Sequence, residues 1–481
     1  MGGFIRRVRG YDRDIKLYLV YTVAANIAIG VFALVFNLYL LQLGYEEDFI
    51  GIFNAVQTLT MAGTAALLGA FISRFGLWRV VTGGLVLYIA ASVLLAIITN
   101  NIGLMVLSGV WGATTALVFT PVMPFVVELT RQRQRQEVAA LSMSLISVST
   151  TLGSLIGGWT PLLLEFVADF ERPSASAFRT TMFLGIALTA LGIPPLFAMS
   201  RERRAARPAA TQRQDDDPPE SDAPPREIRN RMIVYVAVGG LMALGGGAVF
   251  PFYNVYLSSI GASAGLIGVI FAIAWLIAAI IGLWSPWVSA KLGSQRGSVL
   301  VRLAPVPLFI AMIFAPVLPL AILAHLVRVS SINVSWSMES SFISDILPQR
   351  VRYAVFGYRS AAWNLAFSAS SLVAGAAIVR YGYGPSFAAY AVAMSAAMAL
   401  YYFYFRRIPE VPQLAAQERL APPPEPISET EAPDSLPLRP GRGAPIIIVS
   451  EHGESDEESD SDRPDSDPAG QAAAGREEHQ S

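Results

Sequence analysis

The sequence predicts an all-α membrane protein: twelve transmembrane helices in two pseudo-symmetric six-helix bundles. Three observations carry that prediction. They are two very long apolar stretches, an alternation of Lys/Arg-rich with Lys/Arg-poor loops, and an internal repeat held in one register. Of 481 residues, 53% are hydrophobic and 15% charged, and mean hydropathy is +0.48. Soluble domains carry about 25% charged residues. Here the apolar residues concentrate between Leu17 and Met199 and between Met232 and Phe405. Each stretch far exceeds the roughly 20 apolar residues of one bilayer crossing. Membrane β-barrels would show short segments of alternating polarity instead, and none occurs.

Breakers and charges divide the first stretch at 15–43, 48–73, 77–99, 102–130, 136–167 and 177–200. The second divides at 231–259, 264–290, 296–316, 318–346, 351–379 and 384–406, with Pro305, Pro307, Pro316 and Pro319 crowding the ninth and tenth segments. The basic N-terminus (Arg6, Arg7, Arg9) precedes an apolar run with no small-residue cleavage site, so that run reads as a retained first helix. Arg74 and Arg79 follow the second segment, Arg131, Arg133 and Arg135 the fourth, and Arg201, Arg203 and Arg204 the sixth. Lys291, Arg296, Arg350, Arg352, Arg406 and Arg407 continue the alternation. The opposite loops hold only Arg172, Arg179 and Arg380, beside Glu46, Glu47, Asp48, Asp169 and Glu171. Basic excess marks the cytoplasmic side, which places both termini there and requires an even number of crossings.

The repeat ties the two stretches together. Residues 36–55 read FNLYLLQLGYEEDFIGIFNA and residues 253–272 read YNVYLSSIGASAGLIGVIFA, with seven identities in 20 at an offset of 217. The same offset pairs Arg74 with Lys291, Gly76 with Gly293, Arg79 with Arg296, Glu128 with Asp345 and Gly158 with Gly375. A register that survives across helices without a gap marks two related halves. An even number of helices per half leaves them parallel, related by an axis along the membrane normal. The expected organisation is a cytoplasmic N-terminus at 1–13, bundles at 14–200 and 231–408, a charged Pro-rich linker at 201–230, and a cytoplasmic tail at 409–481. The acidic, Pro-rich tail cannot bury a core and reads as disordered, with Ile446 to Val449 as one candidate docking strand.

Composition also excludes functions. There is no cysteine, which removes disulfides and thiolate chemistry. His325 is the sole histidine within the two apolar stretches, and no metal-ligand cluster surrounds it. No phosphate-binding glycine loop is present, so ATP-driven pumping and dinucleotide binding have no support. The reading is a non-enzyme without cofactor or metal, with no nucleic-acid partner, acting as a monomer in the bilayer.

The short basic loop at Gly69-Ala-Phe-Ile-Ser73-Arg74-Phe-Gly76-Leu-Trp-Arg79 resembles the signature G-x-x-x-D-R-x-G-x-R-R/K of the major facilitator superfamily. Gly69, Arg74, Gly76 and Arg79 match, while Ser73 replaces the acid; the second copy keeps Lys291, Gly293 and Arg296. The resemblance covers about residues 14–408 and implies a transporter in which this loop latches a cytoplasmic gate. Glu128 and Asp345 are then candidates to replace the missing acid as partners of Arg74 and Lys291. The fifth segment is similar to the G-P-x-x-G-G of family antiporters, keeping Gly153, Gly157 and Gly158 but carrying Ser154 for the proline. Small residues at this spacing also serve plain helix packing. Ser108 stands where many family exporters have an arginine, which departs from the usual proton-coupling residue.

Ionisable residues inside a bilayer are expensive and mark function. In the tenth segment His325, Arg328, Ser335, Trp336 and Glu339 fall on one face at 100° per residue. The resemblance places the first, fourth, seventh and tenth helices around a central cavity. Trp111 with Ser108, Thr115 and Phe119 on the fourth, Asn26 with Thr22 and Asn37 on the first, and Asn254 on the seventh complete the expected lining. His325 and Glu339 are candidate proton carriers and Arg328 a candidate anion ligand. Arg359 is expected to snorkel to headgroups, and Trp159, Tyr381, Tyr383, Tyr401 and Tyr402 to form interfacial belts. The expected function is secondary transport by alternating access, coupled to protons, with efflux of amphiphilic compounds preferred. The alternatives are a proton-linked importer of a small organic anion and a transport-dead sensor or scaffold on the same fold.

Overall fold

The computed structural model describes residues 11–130, 135–167, 174–202, 225–282 and 284–408. The expectations for Arg6, Arg7, Arg9, Arg131, Arg133, Asp169, Glu171, Arg172, Arg203 and Arg204, for linker residues 203–224 and for the tail 409–481 fall outside them.

Among the described residues, twelve helical spans are long and apolar enough to cross a bilayer. In chain order they are α1 (Arg13–Gln42), α2 (Glu47–Phe75), α3 (Leu77–Ile97), α4 (Asn101–Val126), α5 (Leu141–Val167) and α6 (Ala175–Met199) in the first half. The second half has α7 (Pro225–Ser259), α8 (Ala264–Gly282), α9 (Ser294–Phe314), α10 (Leu318–Ile346), α11 (Ala354–Tyr381) and α12 (Gly384–Phe405). Local chemistry sets their ends. The Asn100 and Ser174 side chains accept from backbone N–H groups in the first turns of α4 and α6. Gly76 and Gly293, repeat mates, link α2 to α3 and the second half's corresponding turn at φ of 83° and 82°, conformations open to glycine. Proline explains the breaks. It has no N–H to donate and clashes with the preceding turn, and α4 is interrupted at Pro121, α9 at Pro305 and α7 by a 3₁₀ turn, Phe250–Phe252, around Pro251. The eighth segment ends eight residues short of its expected bound, at Gly282, and a separate short helix, Ser285–Leu292, follows.

The packing repeats as the sequence does. In the first half α1 packs on α5 and α6, α2 on α4, α3 on α4 and α6, and α5 on α6. Adding six to each number gives the contacts of the second half. The halves meet along α2 with α11 and α5 with α8, themselves a symmetric pair.

The tightest approaches in that junction lie toward one end of the bundle. A Cβ at Gly158 would stand 2.7 Å from the Ala264 carbonyl oxygen and 2.8 Å from Gly268 Cα. A Cβ at Gly51 would stand 2.6 Å from the Ser371 carbonyl oxygen. Gly51 and Gly268 are repeat mates, as are Gly158 and Gly375, so the repeat's shared glycines are where the halves touch backbone to backbone. Hydrogen bonds cross at the same end, from Ser371 Oγ to the Gly51 carbonyl (3.3 Å) and from Tyr383 Oη to Glu47 (2.7 Å). Toward the Arg/Lys-rich end, Gly63 and Gly69 on α2, Gly282 on α8 and Gly357 near the start of α11 face open space. The halves form a V, closed near Glu47 and parted near Arg74.

Two of the expected interfacial aromatics lie elsewhere. Tyr401 is fully buried against Phe342 and Phe405, because α12 packs in its half rather than presenting that edge to lipid. Tyr383 is drawn into the junction by Glu47. Trp159 and Tyr381 are exposed.

Candidate functional site

A cavity of about 300 Å³ lies between the halves at the apex of the V. Its wall is aromatic and amide-bearing: Phe32 and Phe36 on α1, Asn54 and Gln57 on α2, Tyr88 on α3 and Trp111 on α4. The second half contributes Phe250, Pro251 and Phe367. Trp111 is held rigidly, its Nε1–H donating to Ser92 Oγ (3.1 Å) and its rings meeting Phe32, Phe36 and Tyr88. Ser108, one turn earlier, donates to the Phe53 carbonyl (2.6 Å) and fixes α4 on α2.

At the closed end of the cavity, Asn37 and Asn254 clasp the halves. Asn37 Nδ2 donates to the Pro251 carbonyl (2.6 Å), and Asn254 Nδ2 donates to the Leu34 carbonyl (2.9 Å). Both donors are repeat mates, and so are both acceptors. One bond is therefore the symmetry image of the other. Asn26 is elsewhere: it is buried and donates to the Thr22 carbonyl on its own helix, away from this cavity.

The ionisable face of α10 turns into the second half rather than the cavity. Glu339 accepts from Arg359 Nη2 (2.9 Å), Arg302 Nε (3.3 Å) and Ser298 Oγ (3.2 Å). All three charged side chains are buried, at 1% (Glu339), 3% (Arg302) and 2% (Arg359) exposure. Arg359 therefore does not snorkel to headgroups. A buried carboxylate and the rings of Tyr235 (4.5 Å) and Trp336 (4.8 Å) offer it a better site than the interface. Trp336 is half exposed and covers this cluster. Ser335 is buried and donates to Ser331 within α10.

Arg328 and His325 form a second cluster, one helix segment away. Arg328 Nη2 lies 3.0 Å from His325 Nδ1. A guanidinium only donates, so Nδ1 is the acceptor and carries no proton. The imidazole stacks on Tyr253 (4.9 Å) and Phe271 (4.4 Å), and the guanidinium lies over Phe250 (4.2 Å) and Tyr253 (5.4 Å). Arg328 Nε has no hydrogen-bond partner.

Near the Arg/Lys-rich end, Arg74 lies over Phe75 and Lys291 over Trp287, while Glu128 accepts from Trp78 Nε1 (3.1 Å). Arg79 and Asp345 are exposed. Ser73, the residue in place of an acid, bonds back to the Ala70 carbonyl. Of the three small residues on α5, Gly153 and Gly157 face α1 within the half, and Gly158 faces α8 across the junction.

Of the nine residues expected along the pathway, the cavity wall takes Asn37 and Trp111, and Asn254 closes the clasp beside it. His325, Arg328, Ser335 and Glu339 stand behind the second half's wall. The stripe reading missed Arg302. An arginine eight residues into the apolar run of α9 is itself a signal. Phe250, Asn54 and Gln57 carried no mark in the sequence.

A family model described as the Major Facilitator Superfamily matches residues 18–338. The multidrug resistance protein MdtH of Aeromonas hydrophila subsp. hydrophila is 30% identical over 159 residues, 33% of this chain and 38% of that protein. Its counterpart in Aeromonas salmonicida is 29% identical over 160 residues, again 33% and 38%. The chain thus spans 38% of the length of either curated relative. Among solved structures, a D-xylose-proton symporter superposes with a TM-score of 0.61 at 15% identity, covering 82% of this chain and 98% of that one. The nucleoside transporter NupG gives 0.60 at 13%, covering 82% and 98%. A bacterial homolog of the human lysosomal transporter Spinster, inward-facing and occupied, gives 0.59 at 14%, covering 81% and 95%. At these identities the structures share the fold.

Proposed function

This chain belongs to the Major Facilitator Superfamily, and from that premise we propose that it exports amphiphilic small molecules in exchange for protons, by alternating access. The observation that carries the reading is the aromatic and amide-lined cavity at the apex of a V, with the backbone-to-backbone glycine contacts between the halves at one end. Such a wall suits flat apolar compounds and a few oriented polar groups. The partial likeness to two multidrug resistance proteins favours export. Taking the basic loops as cytoplasmic, the parted end opens inward, both termini are cytoplasmic, and the chain sits in the cell membrane as a monomer. The two bundles then rock about the Asn37–Asn254 clasp.

His325 and Glu339 are the proton carriers we propose to test. Each proton has a defined cost in place: at His325 Nδ1 it removes the bond from Arg328, and at Glu339 it leaves two buried guanidiniums without a carboxylate. Residues Gly69, Arg74, Gly76, Arg79, Glu128, Lys291, Gly293 and Asp345 are assigned to the cytoplasmic gate, which joins when the V closes. A second reading, import of an organic anion with protons, is favoured by the uncompensated charge of Arg328.

The deciding experiment is flux in liposomes holding the purified full-length chain, with an imposed pH gradient. Export predicts pH-driven accumulation of the amphiphilic dye anilinonaphthalene sulfonate, weakened by Trp111→Ala. Uptake of an organic acid alone supports the second reading, and neither flux supports a sensor or scaffold.

A further inference from the structure

Arg328 stands at the repeat position of Trp111, yet only Trp111 reaches the cavity. What separates Arg328 from the same space is Phe250. This residue lines the cavity and also carries the Arg328 guanidinium on its ring, 4.2 Å from the centroid. Its own repeat mate is Ala33, so the ring is an addition made in one half only. It sits in the 3₁₀ turn that interrupts α7, next to Pro251. Hydrogen bonding is poorer in such a turn than in an α-helix, and short 3₁₀ pieces often mark hinges.

The guanidinium behind this ring is underused. It has five N–H donors, one of which meets His325 Nδ1, and Nε has none to bond. Among the described residues no carboxylate pairs with it, and the imidazole nitrogen facing it is unprotonated, so the positive charge is balanced only by the faces of Phe250 and Tyr253. Arg328 is 6% exposed. A cation in that setting gains far more from an anion making two parallel hydrogen bonds than from a ring face.

We propose that Phe250 is a hinged aromatic lid over an anion subsite formed by Arg328. The ligand class is an amphiphilic acid: a flat apolar body against Phe32, Phe36 and Trp111, with a carboxylate or sulfonate that displaces the Phe250 ring and engages the guanidinium. The proposal rests on reading this cavity as the substrate site and narrows the substrates to those bearing a negative group.

Calorimetric titration of the purified full-length chain with 2-naphthoate and with neutral 2-naphthamide tests it. Wild type is expected to prefer naphthoate. Phe250→Ala, which copies Ala33 of the other half, should tighten naphthoate binding relative to naphthamide roughly tenfold, the scale of a desolvated cation–π contact. Arg328→Gln should abolish the preference; if that variant fails to fold, Phe250→Trp supplies the converse arm by weakening naphthoate binding. An unchanged naphthoate-to-naphthamide ratio in the Phe250 variants overturns the lid, and so does absence of naphthoate binding to wild type and Phe250→Ala alike. Liposome flux separates the two levels. Naphthoate binding without any flux removes the transport reading and leaves the subsite. Dye flux indifferent to both residues removes the subsite and leaves transport.

Discussion

The two halves share one backbone plan and divide sharply in chemistry. Where the second half buries Arg302, Glu339 and Arg359, the first has their repeat mates Leu85, Val122 and Ser142. Tyr235, which stacks on Arg359, corresponds to Tyr18, which packs on Phe125 and Tyr21. His325 and Arg328 correspond to Ser108 and Trp111. One half is a rigid aromatic wall, and the other hides its charges behind such a wall. Pseudo-symmetry therefore reports on packing and on the junction, whereas asymmetry points to coupling and recognition.

The largest expected effect breaks the charged cluster. Glu339→Gln leaves two buried guanidiniums without a carboxylate, and removing one partner of a buried ion pair costs about 3–5 kcal/mol. Thermal denaturation in detergent should show the loss. Copying the first half instead, with Arg302→Leu, Glu339→Val and Arg359→Ser together, should destabilise less than Glu339→Gln alone while abolishing pH-driven flux. A triple variant that still transports would take the cluster out of the mechanism.

Next comes the glycine junction, where the halves are alike. Gly158→Val or Gly51→Val should disfavour the closed junction by roughly 1–3 kcal/mol, the usual cost of overpacking. The chain has no cysteine, so spin labels placed at Leu67 and Tyr358 can follow the spread of the parted end directly. Shortened Leu67–Tyr358 distances in these variants are expected as the junction opens and the V inverts.

The clasp tests the symmetry itself. Asn37→Ala and Asn254→Ala each remove one inter-half bond and should cost about 1 kcal/mol, equally and in the same direction. Unequal shifts in the same distance measurement would show that the two bonds play different parts. Trp111→Phe, which loses the bond to Ser92 and keeps the ring, should cost less than about 1.5 kcal/mol and weaken naphthoate and naphthamide alike. The smallest effect belongs to Arg74→Ala. That side chain is exposed, and surface substitutions usually change stability by less than about 0.5 kcal/mol; its influence should appear in transport rate.

The chain by itself determined the twelve crossings, the pairing of the halves and the register between them. Bilayer physics makes those properties one-dimensional: a run of apolar residues must be a helix, because its own backbone groups have nothing else to bond. It also singled out Asn37, Asn254, Trp111, Arg328 and Glu339 by residue type and offset. Only the tertiary structure decided what each one meets. Helical periodicity put His325, Arg328 and Glu339 on one face of α10 but could not tell the cavity from the bundle interior, since both lie opposite the lipid. Which neighbour takes a buried charge depends on helices brought together from far along the chain. So the sequence left Glu339 without Arg302 and Arg359, and hid the ring of Phe250 between Arg328 and the space it was expected to line.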